Sequence, residues 1–181
     1  MDEPTFRSPV PTGHHQNPSG SITITDLSDQ TKRSLKAPET SSVASVLGVA
    51  LGTAARINDT LVVHHRPGEW LLVGHSGSVG QVLDSIDRSG FVSTVDVSHG
   101  RLLLLLSGRE SDKVLAKLCS TNLDDDFTPN GAAWGASVAR VNCDLVRDDV
   151  QGVRSYLLLC DSSYGSYLHG AIAEAAEEFA H

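Results

Sequence analysis

Basic residues are scarce in this chain of 181 residues: 14 Lys and Arg stand against 22 Asp and Glu, giving a formal net charge of −8 and a pI near 5.3. Binding a phosphate backbone needs clustered Lys and Arg that release counterions, and no such cluster occurs, which argues against nucleic acid as a partner. Long apolar runs are missing too. The longest unbroken aliphatic stretch, Leu102 to Leu106, falls far short of the roughly 20 residues of a membrane helix. The first twenty residues, MDEPTFRSPVPTGHHQNPSG, lack the apolar core of a secretory signal, so a cytoplasmic location is expected. Only three cysteines are present, Cys119, Cys143 and Cys160. They are odd in number, widely spaced and set in apolar sequence, which suggests neither a disulfide framework nor a zinc knuckle. Buried reduced thiols are the expectation.

What is there suffices for a real core: 40% hydrophobic and 20% charged residues in a length that fits one domain or two very small ones. Residues 1–20 hold four of the seven prolines and little to bury, and read as a disordered or partner-dependent arm. From Ser21 onward short apolar strands alternate with helical patterns, and the order of the pieces runs twice. Thr25-Asp26-Leu27-Ser28, then Leu35-Lys36-Ala37, then PETSSVASVL (38–47) are answered by Val95-Asp96-Val97-Ser98, Leu106-Ser107-Gly108 and RESDKVLAKL (109–118). Glu39, Val43 and Leu47 fall on Glu110, Val114 and Leu118 at a constant offset. The apolar residues of both segments recur three and four apart, on one helix face.

The later pieces repeat as well. EWLLVG (69–74) leads into SGSVGQVLDSID (76–87), and SYLLLC (155–160) leads into SSYGSYLHGAIAEAAEEF (162–179). In the last helix Tyr164, Leu168, Ala171, Ile172, Ala175 and Phe179 form one stripe, with Glu174, Glu177 and Glu178 on the other side. Each half therefore reads as strand, strand, helix, strand, strand, helix. This predicts an α+β fold of two tandem halves, 21–90 and 91–181, in which mixed sheets pack against helices. In the second half Pro129-Asn130-Gly131 marks a turn before a long strand.

Several groups invite a chemical reading. GHSGSVG (74–80) stands between strand and helix, where a G-x-S-x-G nucleophile elbow would stand, but its fifth position is Ser78. The matching place in the second half, CDSSYGS, lacks the signature. An N-cap, with Ser76 or Ser78 accepting from free helical N–H groups, is the expectation. Gly74, Gly77 and Gly80 also miss the G-x-G-x-x-G phosphate fingerprint. Of the eight histidines, His14 and His15 belong to the arm. His64 and His65 are neighbours on a strand and must point to opposite faces, so they cannot share a metal ion. Asp124-Asp125-Asp126 lacks the alternating oxygen ligands and closing glutamate of an EF-hand and reads as a solvated turn. Asn58-Asp59-Thr60 matches a glycosylation sequon that has no meaning without secretion.

Asp96, Ser98 and His99 resemble a triad in composition. Strand alternation, however, sets Asp96 and Ser98 on one face and His99 on the other. The other half keeps Asp26 and Ser28 but has Asp29 in place of the histidine. A pair kept in both copies fits backbone-directed hydrogen bonds that end one element and open the next. No catalytic, cofactor-binding or metal-binding residue is assigned.

RPGEWLLVG (66–74), VDVSHGRLLLLLSG (95–108), KVLAKLC (113–119) and SSYGSYLHGAIAEAAEEF (162–179) together resemble the gamma subunit of heterotetrameric sarcosine oxidase. That family is a small relative of the aminomethyltransferase, or glycine cleavage T-protein, fold. The resemblance runs from Ile24 to Phe179, with departures at Thr121-Asn122-Leu123 and Ala136. It implies a non-catalytic subunit of an enzyme that demethylates sarcosine oxidatively to glycine, the methyl carbon going to formaldehyde or tetrahydrofolate. It also implies that FAD, FMN, NAD and tetrahydrofolate reside on other subunits, and that alpha, beta and delta subunits, chiefly alpha, are the partners. Two alternatives stay open: a stand-alone folate-binding T-protein-like protein, and the equivalent subunit of a dehydrogenase for another N-methyl amino acid. The first would carry a K-G-C-Y-x-G-Q-E type segment, which this sequence lacks.

Overall fold

The computed structural model describes residues 8–10, 14–16, 19 and 21–179. Among them the chain forms β1 (His14–Gln16), β2 (Ile22–Asp26), β3 (Thr31–Lys36), α1 (Ser42–Leu47), β4 (Thr53–Ile57), β5 (Thr60–Arg66), β6 (Glu69–Gly74) and α2 (Ser76–Asp84). It continues with β7 (Ser93–Asp96), β8 (Arg101–Gly108), α3 (Ser111–Leu118), β9 (Ala133–Val138), β10 (Val141–Arg147), β11 (Ser155–Asp161), a single 3-10 turn (Ser162–Tyr164) and α4 (Gly165–Glu177). The fold is α+β. Most of the segment read as an arm lies outside the described residues, but His14–Gln16 pair with β2 and Val10 is buried.

Two sheets form, ordered β1-β2-β8-β11-β10-β9 and β4-β5-β6-β3-β7. Every strand pairing is antiparallel, rather than mixed. Read from β2 and from β7, the two orders are the same series of repeat positions. The first strand of each half, however, lies in the sheet of the other half: β2 pairs with β8, and β7 with β3. A cut at residues 90/91 therefore divides the repeat but not the sheets.

Each half also has three strands between its helices where the pattern gave two. The extra strand arises from a two-residue hairpin. Asn58-Asp59 turns β4 into β5 and Ala139-Arg140 turns β9 into β10, all four residues at positive φ. Tight hairpins need φ > 0 at both central residues, for which Asn and Asp are suited and Ala and Arg are not. The stretch expected as one long strand after Gly131 is for that reason two.

The five-leucine run is explained by burial on both sides. Leu102, Leu104 and Leu106 are fully buried beneath α3 and α4, with Val114, Leu115, Leu168 and Ile172. Leu103 points the other way, into a layer shared by the sheets that also holds Leu61, Val63, Leu71, Val73, Val146, Leu157 and Leu159. Helices α1 and α2 cover the opposite outer face through Val43, Leu47, Val79 and Val82 against Trp70 and Leu72. A strand covered on both faces is apolar throughout instead of alternating, and each fully buried leucine contributes about 1.5–3 kcal/mol.

The helices are shorter than their sequence patterns. Pro38 to Ser41 form a turn closed by Ser41 N to Pro38 O at 2.9 Å, so α1 starts at Ser42 and ends on Gly48 at φ 59°, the left-handed cap glycine favours. In α3, Asp112 in the first turn and Lys117 in the last suit the helix dipole. Tyr164 falls in the 3-10 turn and is half exposed, outside the buried stripe Leu168, Ile172, Ala175 and Ala176 of α4. No helix among the described residues is long and apolar enough to cross a membrane.

Candidate functional site

The repeated Asp-x-Ser sits where the chain crosses between sheets. In both copies the aspartate Oδ1 accepts from the serine backbone N–H at 2.9 Å, Asp26 from Ser28 and Asp96 from Ser98, a local turn that stops the strand. Each serine hydroxyl then reaches the other half. Ser28 Oγ accepts from Leu103 N (3.0 Å) and donates to Leu103 O (3.4 Å), while Ser98 Oγ accepts from Lys32 N (2.9 Å) and donates to Lys32 O (3.4 Å). The residues between them repeat the pattern, Leu27 N to Leu103 O and Val97 N to Lys32 O. Asp96 and Ser98 are thus strand-crossing fasteners. His99 is exposed, and its backbone carbonyl accepts from Ser162 Oγ at 3.0 Å.

Ser28 is buried and Ser98 only half-buried. Ser28→Ala should therefore cost about 1–3 kcal/mol by orphaning the Leu103 N–H, with a smaller loss for Ser98→Ala. Urea unfolding of the two variants measures this, and a larger loss at Ser98 would contradict the assignment.

Lys32 takes the place in the first half that Leu103 takes in the second. It is wholly buried, and its Nζ donates to the carbonyls of Ser28 (2.8 Å) and Gln30 (2.9 Å). Burial lowers its pKa to about 8, against the opposing pull of Asp29, Asp26 and Asp96. The signal that could have found it was the repeat itself, since a lysine stands where the other copy is leucine.

At one end of the layer between the sheets lies a recess of about 540 Å³, lined by Arg66, Arg101, Asn142, Asp144 and Asp161 among others. Asp144 is buried and accepts from Arg66 Nη2 at 2.9 Å and Arg101 Nη2 at 2.6 Å, with His65 Nε2 at 3.8 Å. Burial holds the His65 imidazole below its usual pKa, opposed by the Asp144 charge. A second recess, of about 390 Å³, is lined by Leu27, Leu61, Val73, Leu103 and Leu157 together with Arg56, Asp59 and His75. The buried carboxylate between two guanidinium groups belongs to the first recess. A carboxylate clamped between two guanidinium groups is a fixed ion cluster that can orient a polar partner group. It is not a free base, and among the described residues no hydroxyl is hydrogen-bonded to it.

The remaining candidates are dispersed. His64 and His65 point to opposite faces: His64 stacks on Trp70 at 4.5 Å and its Nδ1 bonds Val49 O at 2.9 Å, whereas His65 faces Asp144. The expected serine cap of α2 is not formed. His75 holds the N-cap position, and Ser78 Oγ donates to His75 O instead. Asp125 is gripped by Arg147 and Arg154, and no group of three or more potential metal ligands occurs among the described residues. The Rossmann form of dinucleotide site places a glycine-rich loop between a parallel strand and a helix. Here α2 and α4 follow antiparallel strands, and Gly77 and Gly80 lie inside α2 facing open space. These residues do not form a site of that kind.

The fold is that of a chain in heterotetrameric sarcosine oxidase from Corynebacterium sp. U-96 in complex with pyrrole 2-carboxylate: 23% identity, TM-score 0.76, 88% of this chain and 86% of that one. It is similar too to glycine cleavage system aminomethyltransferase T from Bartonella henselae, at 12% identity and TM-score 0.61, where 85% of this chain spans 48% of that one. Direct comparison with curated proteins finds no match. The class is thus a T-protein-like α+β body. More particularly, residues 17–178 match the sarcosine oxidase gamma subunit family, and the chain belongs to it. It is a subunit of an oxidoreductase assembly.

Proposed function

We propose that this chain is a non-catalytic gamma subunit that supports the oxidative demethylation of sarcosine to glycine by holding a partner subunit in place. The observation that carries this reading is the family match across residues 17–178, in a chain whose charged recess is held as an ion cluster, Asp144 between Arg66 and Arg101. Alpha, beta and delta chains are the partners, alpha foremost. FAD, FMN, NAD and tetrahydrofolate reside on them, the assembly works in the cytoplasm, and the flavin-bearing subunit selects the N-methyl substrate. No residue of this chain enters the chemistry.

Expression of the assembly with and without this chain tests the reading. Without it, the yield and thermal stability of the remaining subunits should fall severalfold, and sarcosine-dependent oxygen uptake with them. An equally stable, fully active assembly lacking the chain would overturn the proposal. So would tight binding of a reduced folate to the isolated full chain in calorimetry, which would favour a stand-alone folate protein.

A further inference from the structure

Two of the three cysteines, 17 positions apart in sequence, are brought side by side. Strands β10 and β11 run antiparallel with Asp144 opposite Leu159, and one step further along the same register sets Cys143 against Cys160. Their side chains share one buried cluster, where Cys143 Sγ donates to Val141 O at 3.5 Å and Cys160 Sγ to Asp161 O at 3.3 Å. Both are reduced and buried, and both point into the core under α3 and α4. Directly opposed residues on one face of an antiparallel pair have Cβ atoms about 4.5–5.5 Å apart, closer in non-hydrogen-bonded pairs. That is near the span a disulfide bridges.

The two sulfurs are not equivalent. The neighbouring Cys143 thiol and the positive charge of Arg101 lower the pKa of Cys160, and the neighbouring Cys160 thiol and burial raise that of Cys143. The thiolate is the reactive form of cysteine, so the asymmetry provides one attacking sulfur and one resolving sulfur. Cys119, half-buried at the end of α3 and on neither of the two paired strands, serves as an internal comparison.

We propose that Cys143 and Cys160 are a reversible peroxide-sensitive dithiol that closes to a cross-strand disulfide between β10 and β11. The Cys160 thiolate attacks one oxygen of hydrogen peroxide, giving the sulfenic acid as the O–O bond breaks and hydroxide leaves to become water. Cys143 then loses its proton and its sulfur attacks that of Cys160, forming S–S and releasing the second oxygen as water. Two thiols and one peroxide thus give one disulfide and two waters, with peroxide reduced and the sulfurs oxidised. The source of peroxide rests on the subunit reading above, since an oxidase reduces dioxygen to peroxide where this chain would be bound.

The full chain is treated with hydrogen peroxide under native conditions, denatured in an alkylating agent and digested for peptide mass measurement. A linked peptide pair containing Cys143 and Cys160, lighter by two hydrogens and opened by dithiothreitol, is expected before Cys119 is lost. In Cys143→Ser, Cys160 should stop at a sulfenic acid trapped by dimedone. If Cys143 and Cys160 stay fully alkylatable after Cys119 has been oxidised, or the bridge forms through Cys119, the proposal is overturned. A second arm gives sarcosine to the four-subunit enzyme with and without catalase. A bridge formed by added peroxide but not during turnover upholds the dithiol and counts against the subunit reading. Formation in both arms, abolished by catalase in the second, upholds both.

Discussion

Replacing Gly108 with alanine should destabilise the protein by about 3–5 kcal/mol, among the largest single-residue effects the fold permits. Gly108 closes β8 opposite Ile22 of β2, at φ 140°, and an added Cβ would stand 2.2 Å from the Ser21 carbonyl oxygen and 3.0 Å from the Ile22 Cα. Both obstacles are backbone and cannot rotate away. The chain must open the β2–β8 pairing, which is where the first half joins the sheet of the second. For a domain of this size the thermal midpoint should fall by roughly 10 °C or more. Gly170→Ala is the control, since its Cβ would meet nothing within 4 Å on an exposed turn of α4. It should leave the midpoint unchanged or raise it slightly. Equal midpoints for the two variants by differential scanning calorimetry would refute the close-approach argument.

The second large effect is one of pH. Lys32 has an ordinary pKa of 10.5 in the unfolded chain and about 8 in the folded one, lowered by burial. Below pH 8 it carries its proton in both states, and the folded state bears the cost of a buried charge. Between about pH 8 and 10.5 the unfolded chain binds a proton that the folded chain has released. Stability from this group must therefore rise with pH through that window, by on the order of 3 kcal/mol in total. In Lys32→Met the rise disappears. The quantity to follow is the unfolding free energy of wild type minus variant from pH 7 to 10.5 by urea titration, which cancels the other titrating groups. A constant difference across the window would show that Lys32 titrates normally.

Much of the architecture could be read from local pattern. The double run of strands and helices, the apolar stripe of α4 and the turn made by each Asp-x-Ser depend on residues near one another in sequence; the tie from each serine to Leu103 or Lys32 does not. The recurrence of the pair as Asp26-Ser28 and Asp96-Ser98 favours scaffold over triad, and both copies make the same local hydrogen bond. What escaped was set by pairings between distant residues. No periodicity tells that β2 joins β8 rather than β3, or that Cys143 meets Cys160. The Ala139-Arg140 hairpin escaped because its residues carry no turn signal, and the strands it joins override that local preference. Asp144 was passed over within VNCDLVRDD, since its significance comes from Arg66 and Arg101, contributed by two other strands.

The reciprocal placement of β2 and β7 bears on how such a chain arises and folds. Each half, present as a separate polypeptide, would leave one strand unplaced and one sheet position unfilled. Two identical copies would complete one another by trading that strand, as domain-swapped dimers do. A single-chain molecule of this form is what results when the genes of such a dimer are joined end to end. Neither half then gains its edge until the other is made. Folding must wait for contacts some 80 residues apart, and this should make it a single cooperative and comparatively slow event.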